Sequence, residues 1–375
     1  MILSMAQAKK RRKIGKLIVM GCLSERYREE LKAEIPEVDA FYGKFDWVNL
    51  ANDLFQDSVS TENQRVITTP SHYAYIKIAE GCNRTCSYCA IPIITGKYKS
   101  RTIESIVEEV KMLVANGVKE FQLIAQDLTF YGYDLYKTNK LAELVQTLAN
   151  IPGVEWLRLH YGYPNQFPYE ILDVMRNNSN VCAYMDVALQ HISDKVLANM
   201  HRNVDGAWTR ELIKKMRTRV PGVVLRTTMI VGHPGEGKKD FQELLDFVEE
   251  ARFERLGAFK YSEEEGTYGA ENFKDTISAR VKQERLDALM TLQSEISLAF
   301  NNSRVGSEID VIVDDFVDGV YVCRSEFESP EVDGEILVKY DSSVEVDPYS
   351  LIGEFIKVRV IGADEYDLIA EPVEI

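Results

Sequence analysis

Three of the six cysteines fall within eight residues: Cys82, Cys86 and Cys89, in Glu80-Gly81-Cys82-Asn83-Arg84-Thr85-Cys86-Ser87-Tyr88-Cys89-Ala90-Ile91-Pro92. Disulfides are rare in a reducing cytosol, so a tight cysteine cluster there points to metal or catalysis. A 4Fe–4S cluster usually takes four cysteine thiolates. The Cx3CxxC spacing supplies three and leaves one iron open, and an open position on a metal can take a small molecule. A structural zinc site is the competing reading. It asks for a fourth ligand, and the nearest histidine, His72, lies ten residues before Cys82.

The loop must be positioned by what surrounds it. From Tyr73 onward the pattern is strand, then helix, repeated about six times. Ala74–Ala79 is a predicted strand leading into the cysteines. Ile103, Ile106, Val107, Val110, Leu113 and Val114 follow at helical spacing, with Asn116-Gly117 as a stop. Predicted strands Phe121–Ala125, Trp156–Leu159, Ala183–Ala188, Val223–Val231 and Leu256–Lys260 alternate with helices at Leu141–Ala149, Pro168–Arg176, Ser193–Met200, Ala207–Arg217 and Lys238–Ala251. Such alternation argues for an α/β fold with a parallel sheet. Six units are too few for an eight-fold closed barrel, so a partial, open (β/α)6 barrel is expected. A long helix at Ser278–Asn301 leads to five short strand-like runs with turns such as Val317-Asp318-Gly319, which predict a small OB-like β-barrel. Before Tyr73, a basic stretch, a strand Leu17–Met20 and a helix Glu25–Ala33 predict a remnant N-terminal α/β domain, with a linker over Gln56–Pro70. The expected domains are therefore 1–67, 68–300 and 301–375.

The net charge is −15, and residues 301–375 hold 19 acidic against 5 basic side chains, a balance of −14. Phosphate contacts demand the opposite sign, so this module favours a basic partner over nucleic acid. No window carries the roughly 18 apolar residues of a membrane span, and the start lacks a signal-peptide core. A cytoplasmic enzyme is expected.

Cx3CxxC with an aromatic, Tyr88, before the last cysteine resembles the loop of the radical S-adenosylmethionine (SAM) superfamily. Further stretches resemble the methylthiotransferases within it: Gln126-Asp127-Leu128-Thr129-Phe130-Tyr131-Gly132, Asp186-Val187-Ala188-Leu189-Gln190-His191, Arg226-Thr227-Thr228-Met229-Ile230-Val231-Gly232-His233-Pro234-Gly235-Glu236 and Tyr261-Ser262-Glu263-Glu264-Glu265-Gly266-Thr267. A C-terminal TRAM module completes the order. Ala188 stands where the family usually has proline. The resemblance implies that Cys82, Cys86 and Cys89 hold a 4Fe–4S cluster whose open iron binds SAM, and that an electron from a low-potential donor cleaves SAM to a 5′-deoxyadenosyl radical. It places SAM near Tyr88, Gln126, Arg158, Arg226, Thr228, Ile230, Gly232 and Glu236. The plainer alternatives are structural carboxylate partners for Arg158 and Arg226, turn-making for the glycines, a core role for His191, and simple burial for Cys182 and Cys323.

Within the family, Arg324-Ser325-Glu326-Phe327-Glu328-Ser329-Pro330-Glu331-Val332-Asp333-Gly334 resembles the TRAM stretch of the type that methylthiolates an aspartate of small-subunit ribosomal protein twelve. Ser329 replaces the usual alanine. That type implies docking of the ribosomal protein, free or in the small ribosomal subunit, through Glu328, Glu331 and Asp333. It also implies a second 4Fe–4S cluster in the full-length protein, held by three N-terminal cysteines. Only Cys22 matches one of these, so the chain is expected to start roughly 60–70 residues into that domain. The alternatives are a transfer RNA adenosine methylthiotransferase, for which the acidic module is unsuited, and a truncated ribosome-binding remnant lacking sulfur transfer.

Overall fold

The computed structural model describes residues 1–44, 46–55, 65–340 and 347–374. The chain divides into two compact units. The smaller comprises Met1–Val66, Gly81–Arg84 and Ala90–Lys97; the larger comprises Ile67–Glu80, Thr85–Cys89 and Tyr98–Ile375.

In the smaller unit, strands Ile18–Met20 and Ala40–Tyr42 pair in parallel. Helix Ile2–Lys10 contributes Ala6 to a small core with Leu17 and Ile35. Asp39 ties the parts together, accepting the Leu17 amide at 2.6 Å and pairing with Lys9. The helix expected at Glu25–Ala33 is two short helices, Cys22–Arg26 and Arg28–Glu34. They part at Tyr27, whose φ of −122° and ψ of 33° leave the helical range. Of the linker expected over Gln56–Pro70, residues 56–64 lie outside the described residues.

The larger unit holds a six-stranded parallel sheet: β1 Tyr73–Lys77, β2 Glu120–Ile124, β3 Trp156–Gly162, β4 Val181–Val187, β5 Val224–Val231 and β6 Arg255–Lys260. The strands pair in sequence order, and β1 and β6 are the two edges, so the barrel is open. Helices between the strands bury apolar stripes on it. Helix Ile103–Ala115 starts at Thr102, whose hydroxyl accepts the Ser105 amide. It buries Ile106, Val110 and Leu113, and the chain leaves it at Gly117 with a φ of +92°. Along β5, Thr227, Met229 and Val231 are buried while Arg226, Thr228 and Ile230 alternate with them on the other face.

Helix Ala279–Arg304, capped by the Ser278 hydroxyl, leads to five strands: β7 Glu308–Val317, β8 Val320–Arg324, β9 Ile336–Lys339, β10 Phe355–Ala363 and β11 Leu368–Glu374. They close into a barrel in the order β7-β8-β9-β11-β10. β9 and β11 pair in parallel and the other neighbours antiparallel. Asp318 and Gly319, both with positive φ, make the two-residue turn between β7 and β8.

This barrel meets the N-terminal ends of the sheet strands through buried charges. Glu120, at the start of β2, accepts both terminal nitrogens of Arg324, at 3.1 and 2.7 Å, and pairs with Arg158 at 3.2 Å. Arg324 also grips Asp314, which in turn bonds His72 at 2.7 Å. Glu328 is shared by Arg255 of β6 and Arg304 of the long helix. Burial alone would push its carboxyl up, but the two guanidiniums and the Ser325 hydroxyl hold it down at about 2.

Two expectations are corrected here. Arg158 was expected to contact SAM. It is instead fully buried, bonded to Glu120 and to the carbonyl oxygens of Ser325 and Glu326, with its guanidinium over Tyr184. Glu328 and Asp333 were expected to dock a partner. Glu328 is 1% exposed. Asp333 accepts the Tyr184 hydroxyl at 2.7 Å and the Ser329 amide at 2.9 Å, and pairs with Arg226 at 3.6 Å. Glu331 is exposed, and its carboxylate accepts the Tyr73 hydroxyl at 2.9 Å. Glu328 and Asp333 neutralise core cations, whereas Glu331 stays open to a partner.

Candidate active site

The loops that follow the sheet strands meet at their C-terminal ends, where parallel α/β folds build sites. Tyr163 follows β3, and its hydroxyl donates to the Arg202 carbonyl oxygen at 2.8 Å. Arg202 lies in the loop after helix Asp194–Asn199, beyond β4. The Ser87 amide donates to the Met200 carbonyl at 3.1 Å. His233 follows β5; its Nδ1 faces the Pro234 carbonyl at 3.1 Å, which can only accept, so Nδ1 carries the proton and Nε2 accepts from the Ser87 hydroxyl at 3.3 Å. Beyond β6, Gly269 donates its amide to the Ser87 carbonyl at 2.6 Å, and a Cβ there would lie 2.7 Å from that oxygen. The segment Thr85–Cys89 is thus gripped by loops from β4, β5 and β6.

Cys86 and Cys89 belong to this segment, and both are half-buried. The Cys86 Sγ receives a hydrogen bond from Arg202 at 3.3 Å and lies 4.0 Å from the Tyr163 hydroxyl. Tyr88 is also half-buried, edge-on to His233, and burial pushes its phenol well above the ordinary value. Cys82 belongs to the smaller unit. Its amide donates to the Gly96 carbonyl at 3.2 Å, and its Sγ accepts the Arg84 amide at 3.4 Å. Gly81 precedes it with a φ of +79°, and a Cβ there would meet the Lys97 carbonyl oxygen at 2.3 Å. Cys22 is exposed at the start of helix Cys22–Arg26. Among the described residues no group of three His, Cys, Asp or Glu side chains is gathered closely enough to hold a single metal ion. In a 4Fe–4S cluster each thiolate binds a different iron, so its ligands stand further apart. Within the larger unit, the soft sulfurs of Cys86 and Cys89, with a cation donating to Cys86, suit such a cluster chemically.

The other expected contacts separate into two sets. Gln126 follows β2; its Nε2 donates to Glu80, and its Oε1 is buried without a partner. Thr228 and Ile230 sit on β5, where the Thr228 carbonyl accepts the Gln190 amide and the Ile230 amide donates back to the Gln190 carbonyl. Arg226 and Glu236 are already engaged. Arg226 pairs with Asp186 at 3.3 Å, toward the docked barrel. Glu236 accepts the amides of Gly232 and His233 and pairs with Arg285 at 2.7 Å, so it closes the turn. Gly232 takes a φ of +77° in that turn.

His191 is buried, its Nδ1 accepting the Ser193 amide; burial pushes it down to about 3, so it is neutral. Cys182 and Cys323 are buried, away from the loop in sequence, and burial pushes both thiols up. Sequence reasoning missed Arg202 and Tyr163. The only hint was a polar triplet, His201-Arg202-Asn203, just after helix Asp194–Asn199.

The fold and the thiol-bearing loop define the class. Residues 76–248 match the Radical SAM superfamily, and residues 305–373 match the TRAM domain family. A structure of the radical S-adenosylmethionine methyltransferase TsrM from Kitasatospora setae superposes with a TM-score of 0.54. It covers 91% of this chain and 66% of that one at 14% identity, which speaks to fold alone. Three proteins called ribosomal protein uS12 methylthiotransferase RimO are far more similar. The protein from Porphyromonas gingivalis is 58% identical over 374 residues, 100% of this chain and 85% of the relative. That from Phocaeicola vulgatus is 56% identical over 99% of this chain and 85% of the relative. That from Cytophaga hutchinsonii is 45% identical over 100% and 84%. The chain belongs to the RimO family of radical SAM methylthiotransferases. Membership implies a 4Fe–4S cluster and SAM as cofactors. No described helix is long and apolar enough to cross a membrane.

Proposed function

We propose that this chain adds a methylthio group to the β-carbon of an aspartate in ribosomal protein uS12, in the cytoplasm. The observation that carries the reading is the 58% identity, across the whole chain, to a relative bearing that name. In this reading Cys82, Cys86 and Cys89 hold the cluster, which when bound supplies the electron that cleaves SAM. Gln126, with its unpartnered Oε1, accepts from the SAM amino group, and Tyr88, Thr228, Ile230 and the Gly232 turn line the rest. The division of labour follows 68–300 for chemistry and 301–375 for docking, with 1–67 the remnant of the N-terminal domain.

Docking falls to Glu331 and to the other carboxylates that remain exposed on the barrel. Asp310, Asp318 and Glu365 are among them, and they suit a basic ribosomal protein. A low-potential one-electron donor completes the cycle. A second cluster with Cys22 as one ligand needs further thiolates, since one cysteine cannot hold a cluster.

The test is anaerobic reconstitution followed by mass spectrometry of the uS12 target peptide. About four irons per chain are expected for the loop cluster. A methylthio mass on aspartate supports the reading, and modification of transfer RNA instead of the peptide overturns it. Reversal of Asp310, Asp318 and Glu365 to Lys should weaken uS12 binding and flatten its salt dependence, because exposed charges act within about 8 Å at physiological ionic strength.

A further inference from the structure

We infer that Arg202 is a positioning residue that raises the reduction potential of the cluster through its hydrogen bond to Cys86. The inference rests on the proposed role of Cys86 as a cluster ligand and deepens it.

Arg202 is 2% exposed. It donates to Cys86 Sγ at 3.3 Å, to the Tyr88 hydroxyl at 3.4 Å and to the Ala188 carbonyl oxygen, and it lies 4.1 Å from the Tyr163 ring centroid. Tyr163 fixes it a second time by donating to the Arg202 carbonyl. Among the described residues the partners of its side chain are Cys86, Tyr88, the Ala188 carbonyl and the Tyr163 ring, and none is a carboxylate. A buried cation without an anion is costly, and a cluster held at Cys86 would place negative charge beside it.

Elsewhere the larger unit neutralises buried arginines with carboxylates: Arg158 and Arg324 with Glu120, Arg255 with Glu328, and Arg285 with Glu236. Arg202 departs from that pattern at the one place where a thiolate-bound metal group is proposed. Hydrogen bonds to a cluster's sulfur ligands, and charge near it, tune its potential. Three thiolates on a 4Fe–4S core of charge +2 give a net −1, and one added electron makes it −2. A fixed cation stabilises the second state more than the first. Because the guanidinium is buried, water and salt screen this little. No proton is exchanged: a low-potential donor loses one electron and the cluster gains it. Arg202 acts on the ease of that step.

The experiment is an EPR-monitored redox titration of the reconstituted full chain without SAM, comparing wild type with Arg202→Met and Arg202→Lys. For Arg202→Met, at unchanged iron content, the reduced-to-oxidised ratio at the wild-type midpoint should fall about tenfold, equivalent to about 59 mV more negative for one electron. Arg202→Lys keeps the charge but loses the planar fork, so it should recover part of the shift. Wild type that loads no four-iron cluster would defeat the radical SAM reading itself. Full loading with unmoved potentials in both variants would overturn the role of Arg202. So would failure of both variants to load iron, which would make the residue a brace for the loop. A shift that appears only when SAM is added would assign Arg202 to SAM instead.

Discussion

The two ends of the six-stranded sheet use the same residue types to opposite purposes. At the N-terminal ends, arginines and carboxylates cancel one another: Glu120, Asp314 and Glu328 each take at least one guanidinium. At the C-terminal ends, Arg202 faces a thiol, Gln126 keeps an unpartnered Oε1, and His191 Nε2 has no hydrogen bond. Buried polar groups are normally satisfied. The satisfied groups at the N-terminal ends fasten the terminal barrel to the core, although Arg255 Nε and His72 Nδ1 are left without a partner there too. Neither burial of charge nor the lack of a partner for one buried polar atom therefore marks function by itself.

The comparison breaks most visibly at the cysteines. Replacing Cys82, Cys86 and Cys89 together with Ala should abolish iron binding and SAM cleavage while leaving thermal unfolding of the apo-protein nearly unchanged. Iron retained by the triple variant would remove the C-terminal end from the chemistry. At the other end, Glu120→Ala leaves Arg158 and Arg324 facing each other without their shared anion. Breaking a buried pair costs about 3–5 kcal/mol, so denaturant unfolding should shift sharply. Acid should act there too. With its folded value at about 2 against an ordinary 4.5, Glu328 stabilises the fold fully above 4.5, and that contribution is lost as pH falls through about 2. The loss is on the order of 3 kcal/mol. Glu328→Gln should flatten that part of the stability–pH curve, and an unchanged curve would show that the carboxylate is not held low.

A smaller effect is expected at Gly269. A methyl group there presses on the Ser87 carbonyl, for a cost of about 1–3 kcal/mol. Its signature should be weaker SAM binding by equilibrium dialysis rather than lost iron. The smallest effect belongs to Lys119, which joins Glu354 of the barrel across an exposed gap. Lys119→Ala should cost about 0–1 kcal/mol by the same denaturant assay, although it spans the same junction as Glu120.

What was legible in the sequence was local. Cx3CxxC is a short-range pattern, and helix Lys238–Ala251 and strand Val224–Val231 announce themselves by periodicity, their bounds falling within a residue of expectation. The OB-like barrel was legible from five runs with turn residues. What escaped lay in distant pairing. Arg202 stands 116 residues from Cys86, and Arg158 stands 167 from the Ser325 carbonyl. An arginine on a strand shows its cost in sequence but not its partner. The acidic count of the last module was read as one surface, although Glu328 and Asp333 are consumed within the fold. Counting charges gave the sign of the barrel, while burial decided which of them a partner can reach.

The junction also has a consequence in time. Chains emerge from the N-terminus, at about 5–20 residues per second. When β6 has been made, Arg255 has been laid into the sheet edge, but its carboxylate, Glu328, comes 73 positions later. Glu120 likewise holds Arg158 from the start and must wait for Arg324, 204 positions on, to complete its set. The charges at the base of the sheet are therefore balanced only once the segment from Arg324 to Glu328 has been added.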